Sequence, residues 1–329
     1  MNGLEKGRTV AINQAAIANA ASSFELMQKI GPKMCMITAN DPGFIGFHAM
    51  IQIGAHSLGG RFGAAQLIAA DSLEKVMESP TNLRLNPLNL WQYTMWDSPE
   101  AHERMHVENF DVIFEHCHTC LDMVMDGPWE PVYEVVAADM PDMVGMTGVP
   151  RALGGAFAQQ KPVPPVRLPM KRLVAIGEHQ VMGGHEEAFV KGAVATLEAM
   201  REHAAGMIGW VLLKKQGESA ISTLQFRPRD FWAAVQSGGA NPPKSRVTNY
   251  GEWGKDFKGP AIPASQAPSE YLVHMEWESP ETLAFGIAGT AVNPKLRKLH
   301  DEGVMQHLWR VPPYYRVFAP LMEDMVFFH

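Results

Sequence analysis

The chain has 329 residues, 46% of them hydrophobic, three cysteines and a formal charge of −7. It can bury a large core. Its acidic balance lacks the basic stripe that a nucleic-acid backbone demands, and its odd cysteine count does not suggest a disulfide scaffold. No stretch reaches the roughly 18 apolar residues of a membrane helix, and the start MNGLEKGRTVAINQ lacks a signal-peptide layout, so a cytoplasmic protein with no membrane insertion and no nucleic-acid partner is expected.

In chain order, a strand is predicted near Val10 to Ile17, then a helix, then the apolar strand HAMIQIG and a third strand ending at Trp96. Ser98, Pro99 and Glu100 follow as helix cap, first-turn proline and first-turn acid. After that helix, GPWEPVYEVV reads as a turn and a strand from its prolines and alternating apolar residues.

The same order restarts with a strand at Arg172 to Gln180. WDSPE at Trp96 to Glu100 recurs as WESPE at Trp277 to Glu281, PGFIGF as AGMIGW, and EPVYEVV as PPYYRVF. Each half is therefore βαββαβ, the ferredoxin-like order. The expected class is α+β, two such halves packing their open sheet faces into a barrel-like β core surrounded by helices. The expected division is a first half at 8–140, a Pro/Gly-rich connector at 141–170, and a second half with a C-terminal tail at 171–329. Inserts at Ala55 to Asn89 and Glu218 to Ser269 exceed an ordinary loop and are expected to carry short helices or contacts between subunits.

His102-Glu103-Arg104-Met105-His106 matches the H-E-x-x-H pattern of zinc hydrolases. With the two Trp-x-Ser-Pro-Glu segments superposed, His102 falls on Leu283 and His106 on Ile287, and the last-strand match puts Glu130 on Pro312. All three counterparts are apolar, so the fold does not need the polar residues. Positions i and i+4 share one helix face. Two imidazoles and a carboxylate form a metal site with open positions, the set used by non-haem iron oxygen enzymes. A metzincin would need Gly at Asn109 and His at Val112, which are absent. A zinc metallohydrolase and a metal-free shell-forming protein remain the alternatives.

Cys35 lies in GPKMCMITAND, which the repeat aligns with a good helix, so it is expected on a helix kinked or restarted at Pro32. In a first turn, the helix dipole and nearby Lys33 would favour the thiolate. A buried inert cysteine among methionines is the alternative. Cys117 and Cys120 form a single C-x-x-C, a weak signal alone.

The blocks GPKMCMITANDPGFIGF, HERMHVENF, CHTC, GPWEPVYEV, EYLVHMEW and PLMED, in this order over nearly the whole chain, resemble the sulfur oxygenase reductase family. The resemblance implies a mononuclear non-haem iron on His102, His106 and Glu130, which makes residues 8–140 the iron-binding half. It also implies a persulfide on Cys35, Cys117 and Cys120 lining the same pocket, and a hollow homo-oligomer of 24 subunits. The implied reaction takes elemental sulfur or polysulfide and dioxygen to sulfite, hydrogen sulfide and thiosulfate, without flavin, haem or nicotinamide. Glu103 is the expected proton carrier. Two positions depart from the family pattern. Leu321 and Met322 stand where some members have a Met-Met pair at the pocket entrance, and Val149 replaces a pore aromatic while Phe157 keeps the other.

Overall fold

The structure is a computed structural model and describes residues 4–18, 21–57, 88–120, 123–140, 172–219, 247–248, 267–309 and 314–320. The first half contains β1 (Thr9–Ile17), α1 (Ala21–Ala39), β2 (Phe44–Ser57), β3 (Leu88–Trp96), α2 (Pro99–Glu108), α3 (Phe110–Cys120), β4 (Val124–Trp129) and β5 (Pro131–Asp139). The second contains β6 (Leu173–Val181), α4 (Glu186–His203), β7 (Met207–Ser219), β8 (Val247–Thr248), β9 (Ser269–Trp277), α5 (Pro280–Val292), α6 (Pro294–Gly303) and β10 (Tyr314–Pro320). The βαββαβ order is present twice.

Strand register repeats as well. β1 pairs β3 from Thr9 opposite Trp96, and β6 pairs β9 from Leu173 opposite Trp277. The β2–β3 ladder slips between Phe44 and Gly46, and the β7–β9 ladder slips at the corresponding pair, Met207 and Gly209. An extra residue at the same place in both halves is a β-bulge built into the repeat. Just beyond it, Asp97 donates its N–H to the Gly43 carbonyl and Glu278 to that of Gly206, both at 2.8 Å.

Within each half the strands run β5-β1-β3-β2 and β10-β6-β9-β7, and the halves meet where β2 pairs β10 and β5 pairs β7. The antiparallel pairings therefore close into a ring of strands. This corrects the expectation of face-to-face packing. The halves join edge to edge by backbone hydrogen bonds, and their helix-free faces become the two sides of one barrel interior.

Alternation divides the side chains. Val10, Ile12, Met50, Trp91, Tyr93, Val174, Ile176, Val211, Leu272 and Phe318 form one buried cluster that draws on both halves, the barrel interior. Their neighbours face outward. Ala11, Phe47, Ala49 and Trp96 pack under the first half's helices with Ala101, Met105, Ile113 and Cys117. Leu212, Val273, Met275 and Trp277 pack under the second half's helices with Phe189, Leu197, Leu283 and Ile287.

The caps form as the sequence requires. Ser98 accepts from the Ala101 N–H, and Ser279 makes a reciprocal capping box with Thr282, with proline in the first turn of each helix. The segment from His102 through Cys120 is two helices, because Asn109 leaves helical geometry and caps α2 while Phe110 starts α3. Asn293 makes the equivalent break, its side chain accepting from Lys295 and Leu296 at the start of α6. α1 is a second correction. It runs unbroken from Ala21 to Ala39, so Pro32 does not restart it, and Cys35 lies near its C-terminal end instead of in a first turn.

Among the described residues no helix is long and apolar enough to cross a membrane. The connector at 141–170, Val149, Phe157, Leu321 and Met322 lie outside the described residues, as do most of the two inserts.

Candidate metal centre

The site lies between sheet and helices of the first half, outside the barrel interior. α2 supplies His102, Glu103 and His106, all buried. Glu130 is buried at the join of β4 and β5, between the Gln14–Trp129 and Ala11–Val132 pairs, and so stands opposite Asn13 on the outward face of β1.

Two contacts fix how α2 approaches the sheet. Asp41 accepts from the Gly43 N–H at 2.7 Å and from Arg104 Nη2 at 2.8 Å, tying the loop after α1 to α2. Gly43 lets them meet, since a Cβ there would lie 2.5 Å from the Ala101 Cβ. Trp96 then presses edge-on to His102, with ring centroids 5.3 Å apart.

His102 Nε2 lies 3.2 Å from His106 Nε2 and 3.2 Å from Glu130 Oε1, and His106 Nε2 lies 3.5 Å from Glu130 Oε2. These atoms form the one buried His/carboxylate cluster with metal-ligand spacing among the described residues. Metal bonds of about 2.0 to 2.2 Å to imidazole and carboxylate require donors roughly 3 to 3.5 Å apart, so the three residues fit a first-row divalent ion. Two imidazoles and one carboxylate suit either iron or zinc and leave coordination positions open.

The electrostatics agree with a cation here. Burial works against a charged His102, but Glu130 and Glu103 overcome it and raise the imidazole from 6.5 to about 9. Without metal, a proton on His102 balances the carboxylates.

Glu103 stands behind His102. Its Oε1 is 3.0 Å from His102 Nδ1, so it accepts a hydrogen bond from the Nδ1–H and turns Nε2 toward His106 and Glu130. In a zinc hydrolase the middle Glu faces the attacking water on the metal side. Here it is on the opposite edge of the ring.

Cys117 and Cys120 are buried free thiols on α3. Burial first, then the fields of Cys120 and Glu130, pushes Cys117 well up, and burial pushes Cys120 to about 11. Both are neutral thiols near pH 7. Cys35 sits on α1, which packs against α3. That position is near the C-terminal end of the helix, where the helix dipole does not favour a thiolate.

The structure also revises one repeat correspondence. Asn13 pairs Gln92 and Gly177 pairs Val273, the same place in the two halves, and Gly177 is opposite Tyr315. The counterpart of Glu130 is therefore Tyr315, not Pro312. Tyr315 shares a buried apolar cluster with Leu283 and Ile287. Asn13 was absent from the expected site. Its Nδ2 donates to Glu130 Oε1 at 2.6 Å.

Among solved structures, the chain is similar to an anthrone oxidase-like protein at 12% identity, covering 98% of this chain and 94% of that one with a TM-score of 0.43. It is also similar to a candidate monooxygenase of Fusobacterium nucleatum subsp. nucleatum, at 5% identity over 97% and 95% with a TM-score of 0.46. Likenesses this distant say nothing of the reaction. A family model described as sulphur oxygenase reductase matches residues 6–328.

Proposed function

This chain belongs to the sulphur oxygenase reductase family, and from that premise we propose that it carries out oxygen-dependent disproportionation of elemental sulfur at a mononuclear non-haem iron. Sulfite and hydrogen sulfide are the products, with thiosulfate formed further. The supporting observation is the buried convergence of His102, His106 and Glu130, at positions where the other half has Leu283, Ile287 and Tyr315.

When bound, the iron supplies a redox-active Lewis acid with positions open to sulfur and dioxygen. The chain's own groups hold and prepare it. Glu103 keeps the Nδ1 proton of His102 engaged, so that Nε2 is free to bind. It is also the nearest carboxylate through which His102 can exchange that proton.

Cys35 is the proposed sulfur acceptor. Its thiolate attacks one atom of a sulfur ring, a ring S–S bond breaks, a cysteinyl S–S bond forms, and the displaced end of the opened chain carries the electron pair. Sulfur atoms oxidised to sulfite release the electrons, dioxygen accepts half of them and other sulfur atoms accept the rest and leave as sulfide, while water supplies the remaining oxygen and the hydrogens. Cys117 and Cys120 line the same pocket as neutral thiols in this reading. In the same reading the entrance role falls to Leu321 and Met322 and the pore role to Phe157, all outside the described residues. No flavin, haem or nicotinamide takes part. The protein works in the cytoplasm as a hollow shell of 24 subunits, and Phe285, Ala288 and Val292, exposed along one face of α5, are residues that such assembly would cover.

Metal analysis of the purified protein, run beside aerobic and anaerobic incubations with dispersed elemental sulfur, tests the proposal. About one iron per chain with oxygen-dependent sulfite and sulfide is expected. Zinc together with peptide hydrolysis would replace it by the hydrolase reading, and a shell without metal or turnover by the structural one.

A further inference from the structure

We infer that Asn13 is a positioning residue for the metal centre, its side-chain amide holding the Glu130 carboxylate in place and withdrawing electron density from it. The inference rests on the reading of His102, His106 and Glu130 as metal ligands.

The contact is short and its direction is fixed. Asn13 Nδ2 lies 2.6 Å from Glu130 Oε1. An ionised carboxylate only accepts hydrogen bonds, so the amide must turn its NH2 group toward it. The other end of the amide makes no competing demand, because Asn13 Oδ1 is buried with no hydrogen-bond partner among the described residues. A buried acceptor left unmatched is destabilising. A strand evolved for packing alone would not keep an asparagine on those terms.

The repeat shows that the fold does not require this side chain. Gly177 occupies the position in the second half, opposite Tyr315. A Cβ added to Gly177 would lie 2.5 Å from Tyr315 Cε1, so the tyrosine ring fills the space that the Asn13 amide occupies in the first half. The exchange is paired: asparagine accompanies the carboxylate, and glycine accompanies the ring that replaces it.

Two effects follow from the hydrogen bond. It holds Glu130 in the rotamer that meets both histidines, which favours metal retention. It also lowers the carboxylate's donor strength toward a bound ion, which favours the ferrous over the ferric state.

Asn13→Leu keeps the size of the side chain and removes the donor, and Asn13→Gly installs the second half's residue. Metal-free wild-type and variant proteins are loaded with Fe(II), and retention is measured against a competing chelator. The ferric EPR spectrum, the midpoint potential and the melting temperature of the metal-free form are recorded. Retention should fall about 10- to 100-fold in Asn13→Leu, with an altered ferric spectrum, a lower midpoint potential and an unchanged metal-free melting temperature. If Asn13→Leu fails to fold, Asn13→Gly carries the same test. Wild-type retention and an unchanged spectrum in a folded variant would overturn the inference. Failure of the wild-type protein to retain Fe(II) would overturn the ligand assignment beneath it.

Discussion

Trp96 braces His102 edge-on, ring centroid to ring centroid at 5.3 Å, while its counterpart Trp277 leans on a glycine, Gly286, where an added Cβ would lie 2.3 Å from the indole. Both tryptophans end the third strand of their half and both are fully buried. One supports a candidate ligand and the other only a core.

Trp96→Ala and Trp277→Ala should each cost about 3 to 5 kcal/mol, the usual range for emptying a buried aromatic position. Only Trp96→Ala should also lose iron. Denaturant titration and metal content of both variants check this, and equal iron in the two would show that Trp96 does not hold His102.

His106→Ala removes one of the three donors, so its iron content should drop to a small fraction of wild type while circular dichroism stays native. Normal iron in a folded His106→Ala would refute the ligand set.

The His102 imidazole, raised to about 9, carries a proton at neutral pH that a metal must displace. Iron uptake by the metal-free protein should therefore release protons, and retention should strengthen from about pH 6 to about pH 9 and then level off. The folded-state value lies above the ordinary 6.5, so protonated His102 stabilises the metal-free fold fully below about pH 6.5. That contribution is lost as pH rises through about 9. Urea melts of the metal-free protein across this range provide the check, and a stability independent of pH there would contradict the assignment.

Cys35→Ser should keep its iron and lose both sulfite and sulfide formation. Cys117→Ser and Cys120→Ser, which replace neutral thiols, should keep part of the turnover. Product assays on the three variants decide, and wild-type rates in Cys35→Ser would remove the persulfide from the scheme.

Glu103→Gln should weaken iron retention about 10- to 100-fold, as loss of a partner behind a ligating histidine typically does. Neither it nor wild type should digest casein. Proteolysis present in wild type and absent in Glu103→Gln would restore the hydrolase reading.

Much of this was legible from the residues because chemistry and repetition coincide. The doubled Trp-x-Ser-Pro-Glu segments mark the same strand end and the same cap in each half, and they align the helix that carries His102 and His106 with one that carries Leu283 and Ile287. The pairing of Glu130 with Pro312 failed for a physical reason. Strand patterns repeat every two residues, so similar sequences do not fix register, and the backbone ladder instead puts Tyr315 in that place. Asn13 is not legible in the sequence, because a lone polar residue in an apolar strand has no local signature until its partner across the sheet is known. Its glycine counterpart was the available clue. The repeat correctly puts Cys35 on a helix, but not in a first turn, because proline usually ends a helix whereas α1 continues through Pro32.

The closed ring of strands has one more consequence. Sheets usually recruit other chains through an unpaired edge, by adding a strand. Here the outer strands of each half are matched by those of the other, β2 with β10 and β5 with β7. Apart from the short β4 and β8, the described barrel offers no strand margin to a neighbour. Any contact that the described residues make with another copy therefore falls to helices, loops and side chains, and surface substitutions can strengthen or break it while leaving the barrel's hydrogen-bonded frame untouched.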